Sequence, residues 1–244
     1  MECAVELVNA HASYEGERHG TLHGIDYVAG CGDLIAVIGP NGAGKTTLLE
    51  VINGLLPLNR GEVRVWGEPM TSSSHGLRRR IGYVPQDLFF SPATPFLVID
   101  VVLMARFGDK GVFRWPTRED RACAHDAMTV MGIEDLARRP IGRLSGGQQR
   151  KVLLARSVFQ QASLLLLDEP TANLDPRSRE EISNSVLRIR DSLGAAAFVV
   201  SHDTGRLVDS ADRTLVLVDG RVAQPDDLQV PIASSPSATQ PGEQ

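Results

Sequence analysis

The sequence predicts an α/β fold: a doubly wound parallel sheet with a small antiparallel edge sheet and a helical insertion. Three observations predict it. Residues 34–38, 164–167, 197–200 and 215–218 are unbroken apolar runs, as parallel strands covered on both faces require. Helical stretches at 45–53, 118–131, 148–161 and 177–193 follow or separate them, and such alternation of strand and helix is the pattern of a doubly wound sheet. Residues 4–9, 21–28 and 61–66 instead alternate loosely between apolar and polar, which predicts half-exposed strands of an antiparallel edge sheet. Between about 87 and 162 the chain has no strong buried strand and many arginines, so this stretch is expected to form the helical part. After Val222, Pro225, Pro231, Pro236 and Pro241 punctuate a Ser, Ala, Thr and Gln run without aromatic residues, which predicts a disordered tail over 223–244.

Composition narrows the functional classes. A chain of 244 residues with 42% apolar and 23% charged residues can bury a full core, so it is globular rather than fibrous or disordered. Its net charge of −5 supplies no overall positive field for a polyanion and argues against a nucleic-acid partner. Cys3, Cys31 and Cys123 are odd in number and far apart, which fits a reducing cytosol better than a disulfide framework or a zinc site. No apolar run approaches the roughly 20 residues of a membrane span, and the N-terminus lacks the basic-then-apolar order of a signal peptide. Any work at a membrane is therefore expected from outside the lipid.

Gly39-Pro40-Asn41-Gly42-Ala43-Gly44-Lys45-Thr46 fits the P-loop pattern, glycine, four residues, then Gly-Lys-Ser/Thr, in the required place between a buried strand and a helix. The glycines let backbone N–H groups wrap a phosphate, and the helix N-terminus adds partial positive charge. Lys45 is then placed to reach the β- and γ-phosphates, and the Thr46 hydroxyl to ligate Mg²⁺. This chain carries only 3 lysines against 22 arginines, so a lysine here selects a compact point charge where a planar fork would not fit. The run ending in Asp168-Glu169 sets Asp168 at the carboxyl end of a central strand, where it can hold Mg²⁺, and Glu169 where it can orient or deprotonate an attacking water.

Leu144-Ser145-Gly146-Gly147-Gln148 is a second anion nest at a helix start. It resembles the signature motif of ATP-binding cassette (ABC) proteins. That resemblance covers about residues 4–222 and implies a P-loop NTPase core with an antiparallel β edge subdomain and an inserted α-helical subdomain, the tail lying outside it. In such cassettes the signature of one subunit covers the γ-phosphate on the P-loop of another, so two ATP molecules are sandwiched in a head-to-tail dimer. The resemblance carries over residue by residue. Tyr14 matches the aromatic that stacks on adenine, and Thr47 completes the phosphate loop. Gln86, closing Ile81-Gly82-Tyr83-Val84-Pro85-Gln86, matches the glutamine that senses Mg²⁺ and the γ-phosphate. Asp175, in Ala172-Asn173-Leu174-Asp175, matches the acid of the loop crossing the dimer interface, and His202, in Ser201-His202-Asp203, matches the histidine on the γ-phosphate.

Among such cassettes, chromosome-associated types carry long coiled-coil insertions, whereas the stretch from Gln86 to Leu144 is short; tandem translation factors need a second P-loop, and this chain has one. A non-hydrolysing module would be expected to lose Glu169 or His202. The resemblance therefore implies a transporter motor, cytoplasmic and peripheral on the inner face of the membrane, working with separate permease subunits and indirectly with a solute-binding protein. The stretch Asp100 to Gly108 resembles cassettes of manganese and zinc importers, with Ala105 and Phe107 where these usually have Gly and Tyr. Thr171-Ala172-Asn173 departs from their usual Phe-Thr-Gly, which leaves open an importer for another substrate such as an iron chelate, or a non-transport ABC ATPase. The apolar, proline-broken segment from Leu88 to Val98 is expected to form a groove for a permease helix or to pack inside the helical part.

Overall fold

The computed structural model describes residues 3–16, 20–86, 90–106, 115–201 and 205–223. Two sheets organise them. The smaller has the order β2-β1-β4-β5 and is antiparallel throughout, with β1 at Cys3–Ala12, β2 at Leu22–Gly30, β4 at Arg60–Val65 and the short β5 at Glu68–Pro69. The larger has the order β10-β9-β3-β8-β7-β6 and is parallel except for β10. Its strands are β3 (Leu34–Ile38), β6 (Ile81–Val84), β7 (Leu164–Asp168), β8 (Ala196–Val200), β9 (Arg213–Val218) and β10 (Arg221–Val222).

Alternation of side chains across the larger sheet explains the unbroken apolar runs. Along β7, Leu165 and Leu167 join one core while Leu164 and Leu166 join another on the opposite face, and all four are fully buried. Each such leucine contributes about 2 kcal/mol by leaving water, so a polar residue on either face would be costly. The first core unites this face with α3 (Val98–Leu103), α4 (Arg118–Val130), α5 (Gly146–Phe159) and α6 (Pro176–Leu193). The second sits between the other face, the antiparallel sheet and α1 (Lys45–Ile52). Two short helices, α2 (His75–Arg78) and α7 (Arg206–Asp209), and three short 3-10 turns at Met104–Arg106, Glu134–Leu136 and Ile141–Arg143 are also present among the described residues.

Three elements differ from the sequence expectation. Strand β6 at the sheet edge escaped notice because Gly82 and Tyr83 interrupt its apolar pattern; a Cβ on Gly82 would collide with the Ser157 side chain of α5, which is why glycine stands there. Helix α5 begins at Gly146 rather than Gln148, since Ser145 and Gln148 cap it reciprocally. The apolar segment before α3 also divides. Val98 is fully buried at the start of α3, Phe90 and Leu97 pack against the helical core, and Pro92, Pro95 and Phe96 are exposed, Phe96 to 46%. Leu88, Phe89, Phe107 and the tail from 224 lie outside the described residues.

Candidate nucleotide site

Parallel strands bring their carboxyl ends to one edge, and four of the sequence's candidates meet there. The glycine-rich turn leaves β3, Gln86 follows β6 by two residues, Asp168 ends β7 and Glu169 comes directly after it. Between them lies a cavity of about 580 Å³ lined by Tyr14, Thr21, Asn41, Gly42, Gly44, Lys45, Thr46, Thr47, Gln86, Glu169 and Val200. The turn needs its glycines for two separate reasons. Gly42 and Gly44 have φ of 80° and 94°, in the left-handed region, and Gly44 also abuts Leu22 and Thr21 so that a Cβ would not fit. Gly44 supplies no side-chain cap to α1, which leaves the helix N-terminus directed at the cavity with its N–H groups free for an anion.

Lys45 is buried, and its Nζ donates hydrogen bonds to the carbonyls of Gly39 and Pro40, both at 2.8 Å. Burial lowers its pKa, while the nearby charges of Glu169 and Asp168 raise it, so the ammonium is held between loop carbonyls and two acids. Asp168 is 1% exposed, and neither carboxylate oxygen has a hydrogen-bond partner. Its pKa is raised by burial; the adjacent Thr46 hydroxyl pulls it down, Glu169 pushes it up and Lys45 pulls it down. A buried carboxylate with idle oxygens beside a hydroxyl is a donor set suited to a hard divalent cation. Glu169 is nearly buried and accepts a hydrogen bond from Gln86 Nε2 at 3.1 Å on its Oε2. Its backbone is left-handed, with φ of 47°, which turns the chain sharply away from the strand.

The second anion nest does not line this cavity. Ser145 accepts from the Gln148 N–H at 3.3 Å, and the Gln148 side chain accepts from the Ser145 N–H at 3.1 Å. Gly146 and Gly147 lie against Leu174 and Ser178 instead, since Cβ atoms there would make ordinary contact with those side chains. Asp175 caps α6 through the Ser178 N–H at 3.1 Å, and Ser178 holds its carboxyl below the ordinary value. Leu144 and Asp175 are likewise absent from the cavity lining. His202 lies outside the described residues.

Two residues with functional placement were not singled out from the sequence. Arg150, on α5, is buried, donates to the carbonyl of Ala172 and lies close enough to Glu169 for their charges to interact. Glu50, on α1, accepts a hydrogen bond from the Tyr14 hydroxyl. Neither stands in a local motif; both act over long sequence separations that no spacing rule reports.

Fold and cavity together define a P-loop nucleotide-binding protein. The family model for "ABC transporter" matches residues 22–172, and the chain belongs to that family. As a member it binds and hydrolyses ATP. Relatives include the zinc transport system ATP-binding protein TroB of Treponema pallidum, 41% identical over 76% of this chain and 68% of that protein. The manganese transport system ATP-binding protein MntB of Bacillus subtilis is 38% identical over 87% and 82%. Among solved structures, a metal-chelate type ABC transporter in an inward-facing conformation superposes with a TM-score of 0.77 at 30% identity, covering 89% of this chain and 81% of that one. The cassette MJ0796, a dimer in a post-hydrolysis state with ADP and Pi, gives 0.78 at 26% identity, covering 90% and 97%. No helix among the described residues is long and apolar enough to cross a membrane.

Proposed function

We propose that this chain is the ATP-hydrolysing motor of a metal-cation importer of the manganese and zinc type, powering separate membrane permease subunits. The observation that carries the motor reading is the convergence of Lys45, Thr46, Gln86, Asp168 and Glu169 at one cavity edge. In this reading residues 1–222 form one cassette, with its helical part at about 87–162. The loop Gly39–Thr46, through its N–H groups other than at Pro40, which has none, and the Lys45 ammonium bind the β- and γ-phosphates, Thr47 completes the cradle, and Tyr14 stacks on the adenine. Asp168, with Thr46 and Gln86, would hold Mg²⁺, and the idle buried oxygens of Asp168 support that assignment. Magnesium supplies neutralisation of charge on the phosphate oxygens. Glu169 accepts a proton from water as its oxygen bonds to the γ-phosphorus and the bond to the bridging oxygen breaks, the electron pair leaving with ADP.

Ser145, Gly146, Gly147 and Gln148 lie outside the cavity, so in this reading they, with Leu144 and Asp175, serve the ATP of a second subunit. A test uses the slow Glu169→Gln variant. With saturating Mg-ATP at high protein concentration, sedimentation is expected to show a dimer, and adding Ser145→Arg to return a monomer, because a bulky cation does not fit the nest beside a γ-phosphate. Unchanged mass on adding ATP would count against the sandwich.

Cargo rests on the relatives, since the site holds nucleotide and not the transported ion. TroB and MntB support manganese or zinc. A second reading, an iron-chelate or heme importer, is favoured by the hemin import protein HmuV of Streptomyces coelicolor, 41% identical over 83% of this chain. Exposed Phe96, beside the buried start of α3, is the residue through which docking on the permease is best tested. Cells carrying Phe96→Asp are expected to lose the protein from the membrane fraction and to lose manganese or zinc uptake. The purified variant should keep its ATPase activity and melting temperature, which Phe90→Asp, packed on the core, should not. Full membrane retention rejects docking at Phe96; loss of heme or ferric-chelate uptake alone moves the cargo to the second reading.

A further inference from the structure

Glu50 lies on α1, the helix that Lys45 opens, three residues beyond Thr47 and therefore on the same helical face. It takes no place in the phosphate loop. Yet the Tyr14 hydroxyl donates to Glu50 Oε2 at 2.6 Å, and Thr47 Oγ1 donates to the same Tyr14 oxygen at 3.3 Å. A phenol O–H to carboxylate contact of that length is charge-assisted and stronger than a neutral hydrogen bond. Thr47 is buried in the helix, so both partners of the phenol are carried on an element packed into the core, while Tyr14 itself stands in the loop after β1. The ring lines the cavity with the hydroxyl end tied down, and it remains 37% exposed.

We infer that Glu50 is a positioning residue for the nucleotide base. Its carboxylate, together with Thr47, fixes the Tyr14 phenol so that the ring face is already in place when a purine arrives, which spares the ordering of that side chain on binding. This rests on the stacking role proposed for Tyr14. It also places the phenolic proton on Glu50, so Tyr14 offers the base its face and not a hydrogen-bond donor. Selection of the ligand at this end of the cavity is then by stacking, and a triphosphate chain without a base gains nothing from Glu50.

Four variants in the full chain test it: Glu50→Ala, Glu50→Gln, Tyr14→Phe and Tyr14→Ala. Glu50→Ala is expected to raise KM and the equilibrium Kd for ATP about 2- to 10-fold, with kcat at saturating ATP little changed. Affinity for inorganic tripolyphosphate, measured by displacement, should not move. Glu50→Gln, whose amide oxygen still accepts from the phenol, should restore most of the loss. Tyr14→Phe should match Glu50→Ala, and the pair combined should cost no more than either alone. Weakening of tripolyphosphate as much as ATP in Glu50→Ala would overturn the inference by showing damage to the phosphate loop. Unchanged ATP affinity in Glu50→Ala alongside a large loss in Tyr14→Ala would overturn it while leaving the stacking role intact. No loss in Tyr14→Ala would remove the stacking role itself.

Discussion

Replacing Glu169 with Gln is expected to slow ATP hydrolysis about 10²- to 10⁴-fold, the usual size of a general-base contribution, while ATP still binds. The substitution is nearly isosteric and changes one thing, the ability to take a proton. Nothing else in the cavity lining offers a carboxylate, since Asp168 is 1% exposed and is not part of that lining. The contact from Gln86 Nε2 can survive, because the new amide oxygen accepts where Oε2 did. Phosphate release at the wild-type rate would remove Glu169 from the reaction. Retained binding, read by equilibrium titration, separates a chemical defect from a collapsed site.

Lys45→Ala should instead strike at binding, weakening ATP about 10- to 150-fold, the size of a hydrogen bond to a charged group. Two effects of the structure act in the same direction. The carbonyls of Gly39 and Pro40 lose their shared donor, and the charges of Asp168 and Glu169 face the incoming phosphates without the ammonium that offsets them. Lys45→Arg should resemble the alanine variant more than the wild type, since a planar guanidinium does not fill the same small space between the two carbonyls. ATP affinity within threefold of wild type in Lys45→Ala would contradict this account.

What was legible in the sequence is what local backbone demands. Gly42 and Gly44 adopt angles that few other residues tolerate, and the β7 run is unbroken because that strand is buried on both faces. Strands β3 and β7 were readable to within a residue for the same reason. Edge elements were less so: β6 needs pattern on one strand only four residues long, and a glycine there answers to Ser157, far along the chain. Tertiary contacts were illegible altogether. Tyr14 to Glu50 and Arg150 to Ala172 join segments that meet only because the sheets bring β1 beside α1, and α5 beside the loop after β7. The division of the Leu88–Val98 stretch was hidden likewise, because apolar character alone does not distinguish Phe90, seated on the core, from Phe96, which faces solvent.

The left-handed backbone of Glu169 has a further meaning for how such a chain evolves. An L-residue held at that angle costs roughly 1–2 kcal/mol compared with glycine, and placing an acid almost out of water beside Asp168 adds electrostatic repulsion. The position that carries the proposed chemistry is thus one that folding alone would assign to glycine. Random drift unguarded by selection for turnover should empty it of its carboxylate first, leaving a sturdier protein that still grips nucleotide and no longer cycles.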